Sequence, residues 1–247
     1  MRARDAERRF YNRFHASETG TLTPHERARL AAITRALERD VARSVAAPRA
    51  ILDLGCGNGW LAGRLAPWGA VTGIDLADEA VSAAARRYPG LRFVCADLTA
   101  VPLRDRTFDV VVCSEVIEHV QDQPALVALI ARLLRPGGVL ILTCPNQRAA
   151  RHWWSHPRSR RQPREAWLTR EEIRALLRPW FEVLRDATFV GDYLGWGFPG
   201  RRSIRGERWI RRGLRALRVD ALRAAMGRGL YIVTCARRRS GGPAEYA

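Results

Sequence analysis

The stretch Ile51-Leu52-Asp53-Leu54-Gly55-Cys56-Gly57-Asn58-Gly59 constrains this chain more than any other, because an apolar run ends in an acid and then meets three alternating glycines. Such a run, punctuated by glycine, reads as a buried strand leaving into a tight turn. Glycines let the backbone reverse sharply there, and they let a ligand approach main-chain N–H groups that no Cβ shields. The spacing departs from the G-x-G-x-x-G fingerprint that serves a dinucleotide pyrophosphate. Here the glycines fall at 55, 57 and 59, and Asp53 sits just ahead of the turn. A carboxylate at that point would repel a pyrophosphate and attract an ammonium group.

Four further segments follow in order, without a gap from about residue 48 to 146. Val71-Thr72-Gly73-Ile74-Asp75 reads as a second strand and Phe93-Val94-Cys95-Ala96-Asp97-Leu98 as a third. Phe108-Asp109-Val110-Val111-Val112-Cys113-Ser114 reads as a fourth and runs into Glu115-Val116-Ile117-Glu118-His119-Val120. Leu133-Leu134-Arg135-Pro136-Gly137-Gly138-Val139-Leu140-Ile141-Leu142 reads as a helix end, a turn and a fifth strand. Taken together these segments resemble the class I S-adenosylmethionine-dependent methyltransferases of small-molecule type.

The resemblance implies an α/β, Rossmann-like seven-stranded sheet, mostly parallel with one antiparallel strand in the edge region and helices on both faces. It places S-adenosylmethionine at the carboxyl ends of the first strands, within reach of Asp53, Gly55, Cys56, Gly57, Asn58 and Gly59. Asp75 and Leu76 match the positions that hold the ribose, where a carboxylate can accept from two neighbouring hydroxyls. Asp97 and Leu98 match the adenine site, and Ser114 and Glu115 end the cofactor set. Plainer readings stay open for some of these residues. The glycines could mark an ordinary strand-to-helix turn, Asp75 could cap the helix that begins near Ala77-Asp78-Glu79-Ala80, and Asp97 could be a turn former.

A sulfonium methyl group is already activated, so such an enzyme mainly holds an acceptor in line with it and removes a proton. His119 is the candidate base by position, and a histidine that satisfies a loop or helix end is the alternative. Glu115, Glu118 and His119 also resemble the Glu-x-x-Glu-His cluster of ubiquinone-pathway O-methyltransferases, which is associated with a divalent metal. Positions i, i+3 and i+4 of a helix share a face, so joint coordination is allowed if the segment is helical. The Glu-His-Val ending also occurs in relatives that use no metal, and a metal is not the favoured reading. His152 and His156 have ligand spacing but no third partner, and Pro157 and Pro163 interrupt the segment.

Every one of the 42 basic residues is arginine, and their placement is uneven. Residues 1–147 hold 19 arginines against 16 acids, whereas residues 148–247 hold 23 against 9. An excess of that kind points to an anionic partner or surface. Residues 1–47 read as an N-terminal helical cap on a domain running from 48 to 247. In that cap Thr23-Pro24-His25-Glu26 opens a helix with apolar positions at Leu30, Ile33, Leu37, Val41 and Val45. Phe10, Tyr11 and Phe14 lie at helical spacing before it; the resemblance implies that such a helix closes over the cofactor and helps shape the acceptor pocket, plain packing accounts for Tyr11 equally well, and His15 reads as a surface residue.

Two insertions, at about 147–167 and 191–229, break the domain pattern. The first mixes Trp153, Trp154 and Trp167 with arginines. The second carries a basic amphipathic pattern from Arg205 to Arg223 around Ile210, Leu214, Leu217 and Leu222, suited to an anionic membrane surface, a polyanion or plain packing. The helix at Leu168–Leu177 is expected to be capped by Thr169 with Glu172, and Phe181–Leu184 and Leu230–Ala236 to be the last two strands.

The expected function is therefore methyl transfer to a small-molecule or lipid-like acceptor, at oxygen. An RNA methyltransferase or RNA-binding protein using the basic half is the alternative, although no base-methylation signature accompanies the charge. A noncatalytic scaffold is a third reading, which the intact acids and glycines oppose. No apolar run reaches membrane-spanning length, and the N-terminus lacks the apolar core of a secretory signal. The five cysteines lack paired spacing and read as small core residues of a reducing compartment. The expected location is the cytoplasm, with a peripheral position at the inner membrane surface as the variant.

Overall fold

In a computed structural model, the described residues are 2–16, 21–43, 45–46, 49–97, 103–150, 163–189 and 229–241, with residues 2, 3 and 150 described for their backbone alone. The tryptophan and histidine run at 152–156 and the arginine-rich helix at 205–223 lie outside the described residues, as does Leu98.

Seven strands form one sheet in the order β3-β2-β1-β4-β5-β7-β6. They are β1 (Ala50–Leu54), β2 (Ala70–Asp75), β3 (Arg92–Cys95), β4 (Phe108–Ser114), β5 (Leu134–Pro145), β6 (Phe181–Phe189) and β7 (Tyr231–Arg238). Strands β1 to β5 run parallel, and β7 runs antiparallel to both β5 and β6. The chain turns outward from β1 in both directions, so a crevice opens above the carboxyl ends of β1 and β4, the place where open α/β sheets bind ligands.

The central strands bury both faces. Along β4, Val110 and Val112 enter one core while Val111 and Cys113 enter the other, and β5 repeats this with Val139 and Ile141 against Leu140 and Leu142. Successive residues point to opposite faces, so an unbroken apolar run is what a doubly covered strand needs. One layer is α5 (Gln123–Leu133) and α7 (Arg170–Leu177), the latter closed by the expected capping box of Thr169 and Glu172. The opposite layer includes α2 (Pro24–Ala36) and the short α3 (Ala62–Leu65), whose Ile33 and Leu65 share the core of Ile51 and Val110. Helix α4 (Asp78–Arg87) packs beside β2 and β3, and α6 (Gln147–Ala150) follows β5.

Helix α2 begins with the expected capping box, Thr23 Oγ1 accepting from the Glu26 N–H at 3.2 Å. Beyond it the chain widens into a π-helical turn over Leu37–Val41. Ile33, Leu37 and Val41 are all buried at a spacing of four, which overshoots an α-helical turn by roughly 40° each step. The wider turn returns the third of them to the core.

Three expectations are corrected. Leu134 and Arg135 belong to β5 rather than to a helix end, because Pro136 disfavours helix in the residue ahead of it. Strand β6 runs past Leu184 to Phe189, with a register shift between Val183 and Arg185. Cys95 is exposed while the other four cysteines are buried, since it is the last residue of the short edge strand β3; all five thiols are free.

Candidate active site

The glycine loop is built by the strands it leaves. Gly55 and Cys56 both donate their N–H to the Ile74 carbonyl, at 2.8 and 2.9 Å, which folds the loop back over the end of β2. Asp75 completes the stitch, since its carboxylate accepts from Gly57 N at 2.8 Å and from Ala77 N at 2.9 Å. The N-cap of α4 is Ala77, so Asp75 braces the loop rather than capping that helix. Gly55, Gly57 and Gly59 all take positive φ, at 79°, 49° and 78°. At Gly57 any Cβ would also run into the imidazole of His15, whose Nδ1 would lie 2.8 Å away.

Asp53 lies beneath this loop, 1% exposed, and its Oδ2 has no hydrogen-bond partner. Burial, and then the nearby Asp75 charge, push its carboxyl up to about 7, against the pull of the Ala62 N–H. A buried carboxyl with an unused oxygen is costly to fold around, and a cationic ligand would relieve that cost.

Helix α1 (Arg2–Ala16) covers the crevice. Asn12 ties it to the start of α4, donating to Asp78 Oδ1 at 2.8 Å and accepting from Glu79 N at 3.3 Å. Arg4 pairs with Asp97 at 2.9 Å, just past the end of β3. The Tyr11 ring lies 6.2 Å from the His119 ring, and His15 sits over Gly57. His15 is therefore half-buried against the loop, not a surface residue as expected. The signal for this face was the helical spacing of Arg8, Tyr11, Asn12 and His15, which the aromatic spacing of Phe10 and Phe14 obscured.

After β4 the segment does not continue as a helix. Glu115 takes φ 57°, and only Ile117–His119 form a short 3₁₀ turn. The shared helical face expected for Glu115, Glu118 and His119 is absent. Glu115 instead turns toward Thr143, which donates to it at 3.3 Å, and toward Arg29 at 3.8 Å. The Ser114 and Thr143 hydroxyls lie 2.9 Å apart beside it. Among the described residues no group of three or more His, Cys, Asp or Glu side chains could hold a metal ion.

Glu118 is 2% exposed, with Oε2 unpartnered and Oε1 3.7 Å from His119 Nε2. Burial lifts the Glu118 carboxyl well above its ordinary range, and the neighbouring Glu115 adds to the effect. Burial acts on His119 in the opposite sense and lowers its pKa. His119 Nδ1 lies 2.8 Å from the Arg164 carbonyl, which can only accept, so Nδ1 carries the proton and Nε2 the lone pair. Sequence reading missed that partner, because Arg164 reaches His119 from 45 residues away. Every candidate cofactor residue described lies at the carboxyl edge of β1 to β4, and His119 borders the same crevice.

Residues 52–142 match the family described as a methyltransferase domain. That segment is a methyltransferase domain. Over 102 residues the chain is 39% identical to a probable S-adenosylmethionine-dependent methyltransferase of Mycolicibacterium smegmatis, covering 41% of this chain and 40% of the relative. Over 108 residues it is 43% identical to a ubiquinone biosynthesis O-methyltransferase of Xanthomonas oryzae pv. oryzae, covering 40% and 44%. The chain thus matches less than half the length of these relatives. The fold extends further than the sequence likeness. A chain from the complex between the Haloferax volcanii Trm112 methyltransferase activator and a methyltransferase overlays 96% of this chain and 99% of its own length, with a TM-score of 0.70 at 20% identity. S-adenosylmethionine is the group a methyltransferase domain implies, and the residues fit it. Asp53 offers an unpartnered buried oxygen, and Gly55, Gly57 and Gly59 form a turn of positive φ beside it that carries no Cβ.

Proposed function

We propose that this chain transfers a methyl group from S-adenosylmethionine to an oxygen of a small or lipid-like acceptor, with His119 as the base. The observation that carries the reading is His119, a half-buried imidazole whose pKa burial lowers and whose Nδ1 is turned to the Arg164 carbonyl, which leaves the Nε2 lone pair to act as base. The sulfonium supplies an activated methyl group; everything else falls to the chain. Asp53 would hold the ammonium end, Asp75 would take ribose hydroxyls on its remaining lone pairs, and Asp97 would reach the adenine once Arg4 yields it. Leu76, Leu98, Ser114 and Glu115 complete the walls.

Tyr11 and His119 face one another across the acceptor entrance. Nε2 takes the acceptor proton, and the imidazolium so formed is 3.7 Å from Glu118, whose ionisation it favours. Oxygen is supported by the likeness to the O-methyltransferase relative and by the presence of a base, which a hydroxyl acceptor needs.

Labelled S-adenosylmethionine incubated with small-molecule, lipid and RNA fractions tests the reading. Label is expected in a small-molecule or lipid product, and label confined to RNA would overturn it in favour of the basic half acting on nucleic acid. His119→Ala should lower turnover by roughly 10²- to 10⁴-fold while leaving S-adenosylhomocysteine affinity unchanged. The wild-type rate should fall only as pH drops through the depressed pKa of His119. A wild-type rate in the alanine variant would remove His119 from the mechanism.

A further inference from the structure

Helix α1 has two faces with different chemistry. Its inner face presents Tyr11, Asn12 and His15 to the crevice. Its outer face follows the spacing Arg9, Phe10, Arg13 and Phe14, which lie together on one side of a helix. Arg9 and Arg13 are exposed. Phe14 is 42% exposed, and among the described residues no other large apolar side chain is so open. Phe10 stacks on it at 6.3 Å, with ring planes 21° apart. Single exposed apolar residues are common and need no explanation. A stacked phenylalanine pair bracketed by exposed arginines, in a chain with net charge +17, is less common.

We propose that this outer face of α1 docks on an anionic lipid surface, with Phe10 and Phe14 entering the acyl boundary while Arg9 and Arg13 meet the headgroups. Long-range attraction comes from the chain's charge, and insertion from the paired rings. The aromatic geometry favours lipid over nucleic acid. A base stacks on a free ring face, whereas Phe10 and Phe14 lie roughly parallel at 6.3 Å, and each is also met nearly at right angles by its neighbour, Tyr11 at 5.3 Å and His15 at 5.4 Å. An acyl chain needs only apolar area. Docking this face would hold α1 flat on the bilayer with His15, Gly57 and His119 directly beneath, so that a lipid-like acceptor enters under Tyr11. That last step rests on the proposed methyl transfer; the docking does not.

The test uses the full chain sedimented with vesicles of phosphatidylcholine alone or mixed with phosphatidylglycerol. The chain is expected to partition onto the anionic vesicles. Phe10→Ser with Phe14→Ser changes no charge and should weaken partition by roughly tenfold or more, the loss expected when partly inserted rings are removed. Arginines elsewhere also attract anionic vesicles, so unchanged partition of this variant overturns the proposal. Phe14→Ser alone repeats the test if the double variant melts below the wild type, and it too must weaken partition.

Calorimetry with S-adenosylhomocysteine in the absence of vesicles separates the two readings. Cofactor binding without vesicle partition removes the docking and leaves the methyl-transfer proposal standing, whereas partition without cofactor binding does the reverse. Equal loss of an RNA oligomer and of vesicles by the phenylalanine variant would also overturn the lipid assignment.

Discussion

Asp53 carries an unbalanced cost at the scale of one residue. Its folded carboxyl is pushed up to about 7, well above an ordinary aspartate, because it is buried and near the Asp75 charge. The folded state therefore holds the proton more tightly than the unfolded state. Below the unfolded value of roughly 4 the group costs nothing, and stability falls as pH rises from there toward 7. Asp53→Asn should keep the contact with Ala62 N–H, raise the unfolding free energy at pH 8 by an amount on the order of a few kcal/mol, seen as a higher melting temperature, and flatten that part of the pH profile. The same change should weaken S-adenosylhomocysteine, which loses its counter-charge. Melting curves across pH check the first outcome, and an asparagine variant less stable than wild type at pH 8 would refute it. The place of Asp53 at the end of a buried strand was legible from its position before the glycines. The unpartnered Oδ2 was not, since it depends on what packs around β1.

At the scale of elements, the glycine loop and helix α1 act together. The loop's conformation is written locally, because positive φ at three alternating positions calls for glycine wherever the strand ends. The helix laid over it depends on Asn12, which pins α1 to the start of α4 across 66 residues of sequence. Asn12→Ala removes both hydrogen bonds and should cost about 1–2 kcal/mol of local opening, with little change in global melting. Faster hydrogen exchange across residues 4–16, with the sheet unaffected, is the expected readout. Gly57→Val should abolish S-adenosylhomocysteine binding and displace His15, since the side chain would occupy the place of its imidazole. The same element scale explains why Glu115, Glu118 and His119 do not share a helical face. Three side chains spaced as on a helix share a face only if the backbone is helical, and the left-handed turn at Glu115 sends its carboxylate to Thr143 and Arg29 instead.

Across the whole molecule, the N-terminal segment is joined to the far edge of the sheet. Arg185 on β6 reaches Asp40, in the π-helical turn after α2, with contacts of 3.2 and 3.3 Å. Asp40 is 9% exposed, whereas the Arg185 side chain is half exposed and can be rehydrated. Asp40→Ala should therefore cost only about 1–2 kcal/mol, read as a lower denaturant midpoint with an unchanged slope. The sequence by itself determined the strands, their order along the chain, the capped helices and the chemistry of the glycine loop. Each of these follows from residue period, turn chemistry or capping within a few positions. Tertiary structure alone decided which side chains meet: His15 on Gly57, Arg4 on Asp97, the Arg164 carbonyl on His119, and Thr143 and Arg29 on Glu115. Those contacts join residues tens of positions apart, and no local pattern encodes them, because only the packing of α1 and of the segment after β5 onto the sheet brings their backbones together.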